Sequence, residues 1–162
     1  MSDLKYLFAY SIPFSAFLSV YFLGYFSFGA VFYAFVIIPL LETIIQTPGK
    51  TYSEEEKSSR LSKILFDIML YGNLPIVFGI LGYGLYVISR GNLSAMETVG
   101  VVLSLGILLA TNAINVAHEL GHRKTKMEQM MSKLLLMPCL YMHFYLEHNI
   151  GHHKNVSTPE DP

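Results

Sequence analysis

The chain has 162 residues, of which 52 % are apolar and only 14 % charged, with a formal net charge of −1. With a mean hydropathy of +0.44, that composition excludes an ordinary soluble domain and indicates a polytopic membrane protein. The near-neutral charge leaves no electrostatic footprint for nucleic acid, and a single cysteine, Cys139, excludes an intrachain disulfide.

No charged residue occurs from Tyr6 to Leu41. At roughly 20 residues per crossing, that run predicts two spans, near 6–23 and 28–46, with Gly24 and Gly29 marking the turn between them. Pro13 and Pro39 are tolerated because neighbouring helices can re-satisfy the freed backbone groups. The abundant Phe and Tyr read as lipid-facing and packing aromatics rather than a cofactor-stacking set.

Residues 47–63 form a polar loop carrying Lys50, Lys57, Arg60 and Lys63, and Ser53 with Glu56 reads as a capping box that starts a short interfacial helix. A third span is expected near 64–88, distorted at Asn73-Leu74-Pro75, with Asp67 solvated or paired at its end. Ser94 and Glu97 form a second capping box, and a fourth span follows near 98–117. The 47–63 loop and the 123–133 segment hold most of the positive charge, which the positive-inside rule assigns to the cytoplasmic face.

Five of the six histidines then fall in two short boxes, His118-Glu119-Leu120-Gly121-His122 and Glu147-His148-Asn149-Ile150-Gly151-His152-His153. Residues i and i+4 lie on one helix face about 5–6 Å apart, so His118/His122 and His148/His152 can each present two imidazoles to one ion. Imidazole is the commonest ligand for several transition metals, and five exceed what one tetrahedral zinc takes. The apolar stretch near 127–147 cannot be a fifth crossing if the boxes are to meet, since a crossing would separate them by about 30 Å. It reads instead as an interfacial or re-entrant helix, with Met127, Met130, Met131, Met137 and Met142 as packing residues. Thr111, Asn115, His118 and His122 share one helical stripe. A polar Asn is costly in hydrocarbon, so Asn115 is expected to face a metal cavity.

The first box also matches the His-Glu-x-x-His pattern of zinc metalloproteases, which leaves open an intramembrane protease resembling the site-2 family. A non-enzymatic metal-binding or transport protein is a further possibility. The second box favours iron, since a zinc protease needs one more carboxylate rather than three more imidazoles.

His118 to Arg123, His143 to His153, and Thr158-Pro159-Glu160-Asp161-Pro162 together resemble the first half of the membrane-bound alkane 1-monooxygenases. These belong to the integral-membrane desaturase/hydroxylase superfamily of non-haem di-iron enzymes. The two boxes are shared in looser form with xylene monooxygenases and desaturases; the Thr-Pro-Glu-Asp-Pro run favours the alkane enzymes. The resemblance implies an all-α integral-membrane fold: a single membrane domain over 1–162 with four transmembrane helices plus cytoplasmic or interfacial helices, an incomplete six-span di-iron hydroxylase bundle.

It further implies that His118, His122, His148, His152 and His153 are iron ligands of a non-haem di-iron centre. Asn115, Glu119 and Glu147 are candidates to support them, and His143 is expected to be structural. O₂-dependent terminal hydroxylation of alkanes follows, with rubredoxin as electron donor at the Arg123, Lys124, Lys126 surface. The implied location is the bacterial inner (cytoplasmic) membrane, with the boxes on the cytoplasmic side. A related di-iron hydroxylase or desaturase acting on xylene or a fatty acyl chain is the alternative. Family members take further ligands from a third box after two more spans. The chain is therefore expected to be the N-terminal part of such an enzyme and, alone, to be inactive.

Overall fold

The computed structural model describes residues 2–45 and 64–161, with side chains from residue 6 onward. The expected Ser53/Glu56 cap and the basic loop around it lie outside the described residues. Four apolar helices come first: α1 (Tyr6–Phe22), α2 (Gly24–Ile44), α3 (Ile64–Ser89) and α4 (Ala95–Gly121). The last three are long and apolar enough to cross a membrane; α1 is a shorter apolar helix. Two further helices follow, α5 (Lys126–Leu136) and α6 (residues 144–155). This is an all-α integral-membrane fold.

The turn between α1 and α2 is tighter than the sequence suggests. Leu23 and Gly24 both adopt φ of 55°, and residues 24–28 already form the first turns of α2. Gly29 does not belong to the turn. It sits inside α2, where a β-carbon would lie 2.9 Å from Ser19 Oγ, and that hydroxyl accepts a hydrogen bond from the Ala30 N–H at 2.9 Å.

Small residues let these helices approach closely, as membrane helices must when lipid supplies no competing hydrophobic drive. Ser104 donates to the Ser27 carbonyl at 2.7 Å. Gly100 faces the same turn, and a β-carbon there would lie 2.1 Å from Ser27 Oγ and 2.9 Å from its carbonyl carbon. Gly100→Ala should therefore destabilise the bundle by about 1–3 kcal/mol, the usual range for overpacking, measurable as a lowered melting temperature in detergent. Glu97 serves twice. It closes the expected capping box with Ser94, and it accepts the Gly24 N–H at 2.9 Å, tying the α1–α2 turn to the start of α4.

α4 is the central element. It supplies Val101, Leu105, Leu108, Ala113, Ala117 and Leu120 to the core, against Ala16 and Val20 of α1, Val77 of α3 and Leu135 and Leu136 of α5. Large apolar side chains on the outer faces, such as Phe14, Phe22, Phe35, Ile68 and Val102, are exposed, as lipid contact requires.

Proline and asparagine shape the middle of the bundle. Pro39 follows a π-helical stretch, Tyr33–Ile37, one of the recognised sites of helix irregularity. A second π stretch, Leu109–Ile114, interrupts α4 just before the first histidine box. There Asn112 donates to Asn73 Oδ1 at 2.9 Å, and Asn73 donates to the Met69 carbonyl at 2.7 Å. With Thr111 Oγ1 donating to Asn112 Oδ1 at 2.9 Å, both amides are paired in an apolar interior, where an unpaired one would be costly.

α4 has 27 residues, about 40 Å at 1.5 Å per residue, which exceeds a hydrocarbon core of about 30 Å and leaves its histidine-bearing end room to emerge. α5, with 11 residues, spans only about 16 Å and folds back along α4 rather than crossing. Ser132 donates to the Ala117 carbonyl at 2.6 Å. The methionines depart from the expectation of packing. Only Met131 is buried, whereas Met127, Met130, Met137 and Met142 are exposed. Met127, Met130, Leu134 and Met137 lie at i, i+3, i+7 and i+10, so the outer face of α5 is an apolar stripe suited to a bilayer surface.

Candidate metal centre

The two histidine boxes meet. His118 and His122 come from the last turns of α4, while His148, His152 and His153 come from α6, whose stretch Glu147–His152 is π-helical. His118 Nε2 lies 2.7 Å from His148 Nε2 and 3.1 Å from His122 Nε2; His153 Nε2 lies 3.1 Å from His148 Nε2. One ligand atom from each of His118, His122 and His148 fits within a 4.8 Å group.

Hydrogen bonding alone cannot satisfy this arrangement. Each imidazole nitrogen offers either one N–H or one lone pair, yet His118 Nε2 and His148 Nε2 each face two other ring nitrogens. A cation among His118, His122 and His148 resolves the conflict, because these rings can then point lone pairs at it. These three form the donor set that could hold a metal ion, with only imidazole nitrogen at the focus.

Burial, and then the charge of the surrounding imidazoles, holds the His148 pKa below its ordinary value, so its ring stays neutral and available as a ligand. Phe144 stacks on the same ring at 4.9 Å between centroids. The His152 ring also stacks on His148, at 5.5 Å, and turns its Nδ1 to Asp161 Oδ1 at 2.8 Å.

Gly121, inside the first box, makes the meeting possible. A β-carbon there would lie 3.3 Å from Asn149 Nδ2, 3.3 Å from Ser132 Oγ and 3.5 Å from Tyr145 Cδ2. The second box and α5 thus close over the one position of that turn without a side chain.

The remaining sequence candidates are dispersed. Asn115 is exposed one turn before His118 and has no hydrogen-bond partner among the described residues; Glu119 is likewise exposed. Glu147 pairs with His143 at 3.9 Å on the surface, and His143 stays outside the imidazole cluster. Asp67 is paired, 3.4 Å from Arg123. Arg123 is therefore not a free cation for a docking surface, and of the three basic residues singled out there only Lys124 and Lys126 are exposed.

Sequence reasoning missed Glu128. It is buried and accepts from Thr125 Oγ1 at 2.5 Å and from Tyr71 at 2.9 Å, which pins α5 to α3. The Thr125 hydroxyl first, then Tyr71 and Arg123, hold its carboxyl below the ordinary carboxylate range against the opposing effect of burial. The Thr125-x-x-Glu128 capping pattern was the available signal.

An apolar groove of about 530 Å³ runs between α1 and α3, lined by Tyr10, Phe14, Phe17, Pro75 and Tyr83 among others. It shares no residue with the imidazole cluster.

Residues 96–162 match the fatty acid desaturase family. Over 137 residues the chain is 31 % identical to the alkane 1-monooxygenase of Acinetobacter baylyi, covering 85 % of this chain and 33 % of that protein. Alkane 1-monooxygenase 1 of Alcanivorax borkumensis is 35 % identical over 129 residues, 78 % of this chain and 31 % of that one. The xylene/toluene monooxygenase hydroxylase component of Pseudomonas putida is 29 % identical over 111 residues, 63 % and 28 % of the two chains. With the two boxes and the helical membrane fold, these similarities define an integral-membrane protein of the fatty acid desaturase/hydroxylase superfamily. Within it, the chain is similar to the membrane alkane 1-monooxygenases over most of its own length. It spans about a third of the length of the curated relatives it matches.

Proposed function

We propose that the full-length protein hydroxylates the terminal carbon of alkanes, with a non-haem di-iron centre held in part by His118, His122, His148, His152 and His153. The observation that carries this reading is the meeting of His118, His122 and His148 from two helices, one ligand atom of each inside a 4.8 Å group, with His153 Nε2 3.1 Å from His148 Nε2. The reaction consumes the alkane, O₂, two electrons and two protons, and yields a primary alcohol and water. When bound, the iron supplies the reduction of O₂ and the oxidising power needed to break a methyl C–H bond. The chain's own residues supply placement. α4 and α6 hold the rings, Phe144 fixes the plane of His148, and the apolar helix faces favour an alkane over water.

Asn115, Glu119 and Glu147 remain the supporting candidates, and their exposure beside the boxes leaves them open to elements outside this chain. The resemblance carries rubredoxin as donor, with Lys124 and Lys126 as exposed cations near the site. It also carries the bacterial inner membrane, with the boxes on the cytoplasmic side where the basic segments lie. The activity belongs to the full-length protein, because five box imidazoles cannot fill two irons of four to six ligands each.

The test is to load the full-length protein with ferrous iron and supply rubredoxin, its reductase, octane and O₂. 1-Octanol formed in step with O₂ uptake is expected, and none is expected from the 162-residue chain alone. Iron-loaded full-length protein that makes no alcohol, or purifies with zinc in the site, contradicts the reading. A xylene hydroxylase is distinguished by offering xylene in the same assay.

A further inference from the structure

Among the described residues, His152 alone of the five box histidines has its second ring nitrogen held by a carboxylate. Asp161 Oδ1 sits 2.8 Å from His152 Nδ1, and the segment between them is built as a return. The Asn155 carbonyl accepts from the Thr158 N–H at 2.9 Å and from the Thr158 hydroxyl at 2.7 Å. The Asn155 amide donates to the Glu160 carbonyl at 3.3 Å, and Ser157 adopts φ of 64°. Asp161 Oδ2 takes the Ser157 N–H at 3.4 Å, so both carboxylate oxygens are engaged and the side chain is largely covered.

We infer that Asp161 is a positioning residue for the metal centre, acting through His152. A carboxylate accepting from Nδ1–H fixes the proton on that nitrogen, leaves Nε2 with its lone pair free for a metal, and holds the ring plane. Carboxylates placed in this way behind metal-bound histidines raise ligand basicity, and their removal commonly weakens metal binding by about 10–100-fold. The Thr158–Asp161 run after the second box thereby gains a physical role, folding the chain back so that a fixed acceptor reaches His152. This inference rests on His152 being a ligand.

The test measures iron release from the iron-loaded full-length protein to a chromophoric ferrous chelator, in a double-mutant cycle of Asp161→Ala and His152→Ala. Asp161→Ala should speed release about 10–100-fold in the wild-type background and leave it unchanged in the His152→Ala background. Asp161→Asn, which keeps an acceptor oxygen but not the charge, should fall between wild type and Asp161→Ala, and it serves if alanine prevents folding. An equal effect of Asp161→Ala in both backgrounds means that it acts on the turn rather than through His152, and overturns the inference. Unchanged release in Asp161→Ala, while His152→Ala loses iron, overturns it and leaves the ligand assignment standing. Unchanged release in His152→Ala overturns the ligand assignment and the inference with it.

Discussion

His122→Ala or His148→Ala in the full-length protein should strip the centre of iron and abolish alcohol formation, whereas His143→Ala should keep most of both. His148 Nε2 has His118 and His153 nitrogens within 3.1 Å, and His122 closes on His118 from the other side. Removing either donor opens the coordination sphere directly. The loss should exceed the roughly 10–100-fold typical of a residue behind a ligand. His143 has its ring exposed, against Tyr141 and 3.9 Å from Glu147, with no place at the focus. Iron per protein, measured by elemental analysis after desalting, separates the two classes. Iron loss in His143→Ala equal to that in His148→Ala would contradict the assignment.

Gly121→Val should have a comparable effect without touching a ligand. Even a β-carbon at this position only just fits between Asn149, Ser132 and Tyr145; the two γ-carbons of valine must displace at least one of them. Overpacking of this kind costs about 1–3 kcal/mol, and relief lies in moving α6 away, since Ser132 is anchored to the Ala117 carbonyl. Separating α6 from α4 separates His148 from His118. The variant should therefore insert normally yet bind iron weakly and make little alcohol. Gly121→Ala, which needs shifts of only a few tenths of an ångström, should retain most of the iron. Equal iron content in the valine variant and wild type would show that α6 does not pack here.

The features legible in the sequence are those that depend on short spacings. The apolar runs located the four helices, Ser94-x-x-Glu97 located the start of α4, and the i, i+4 spacing located the His118/His122 pair; in the second box the π-helical turn brings His153 rather than His152 to the His148 Nε2. The need for the boxes to share a site argued against a crossing between them, and α5, at 11 residues, is too short to make one. Features that depend on which faces meet were not legible. The burial of Glu128 requires Tyr71 of a distant helix, and the pairing of Asn73 with Asn112 requires a π stretch that single-sequence periodicity does not reveal. The methionines in and after α5 carry the same apolar character whether they are covered or not, so composition alone did not separate buried Met131 from exposed Met127, Met130, Met137 and Met142. Gly121 reads as one helix glycine among many until Tyr145 and Asn149 are seen against it.

Whether both histidine boxes hold one metal centre can be read by iron K-edge X-ray absorption on the full-length protein, its His122→Ala variant and its His148→Ala variant, each loaded with ferrous iron. A shared centre predicts a nitrogen-dominated first shell near 2.1 Å with imidazole outer-shell scattering in the wild type, and loss of that iron signal in both variants, because one ligand is removed from each box. An imidazole signal that falls in one variant and is untouched in the other, with iron content unchanged, would contradict it.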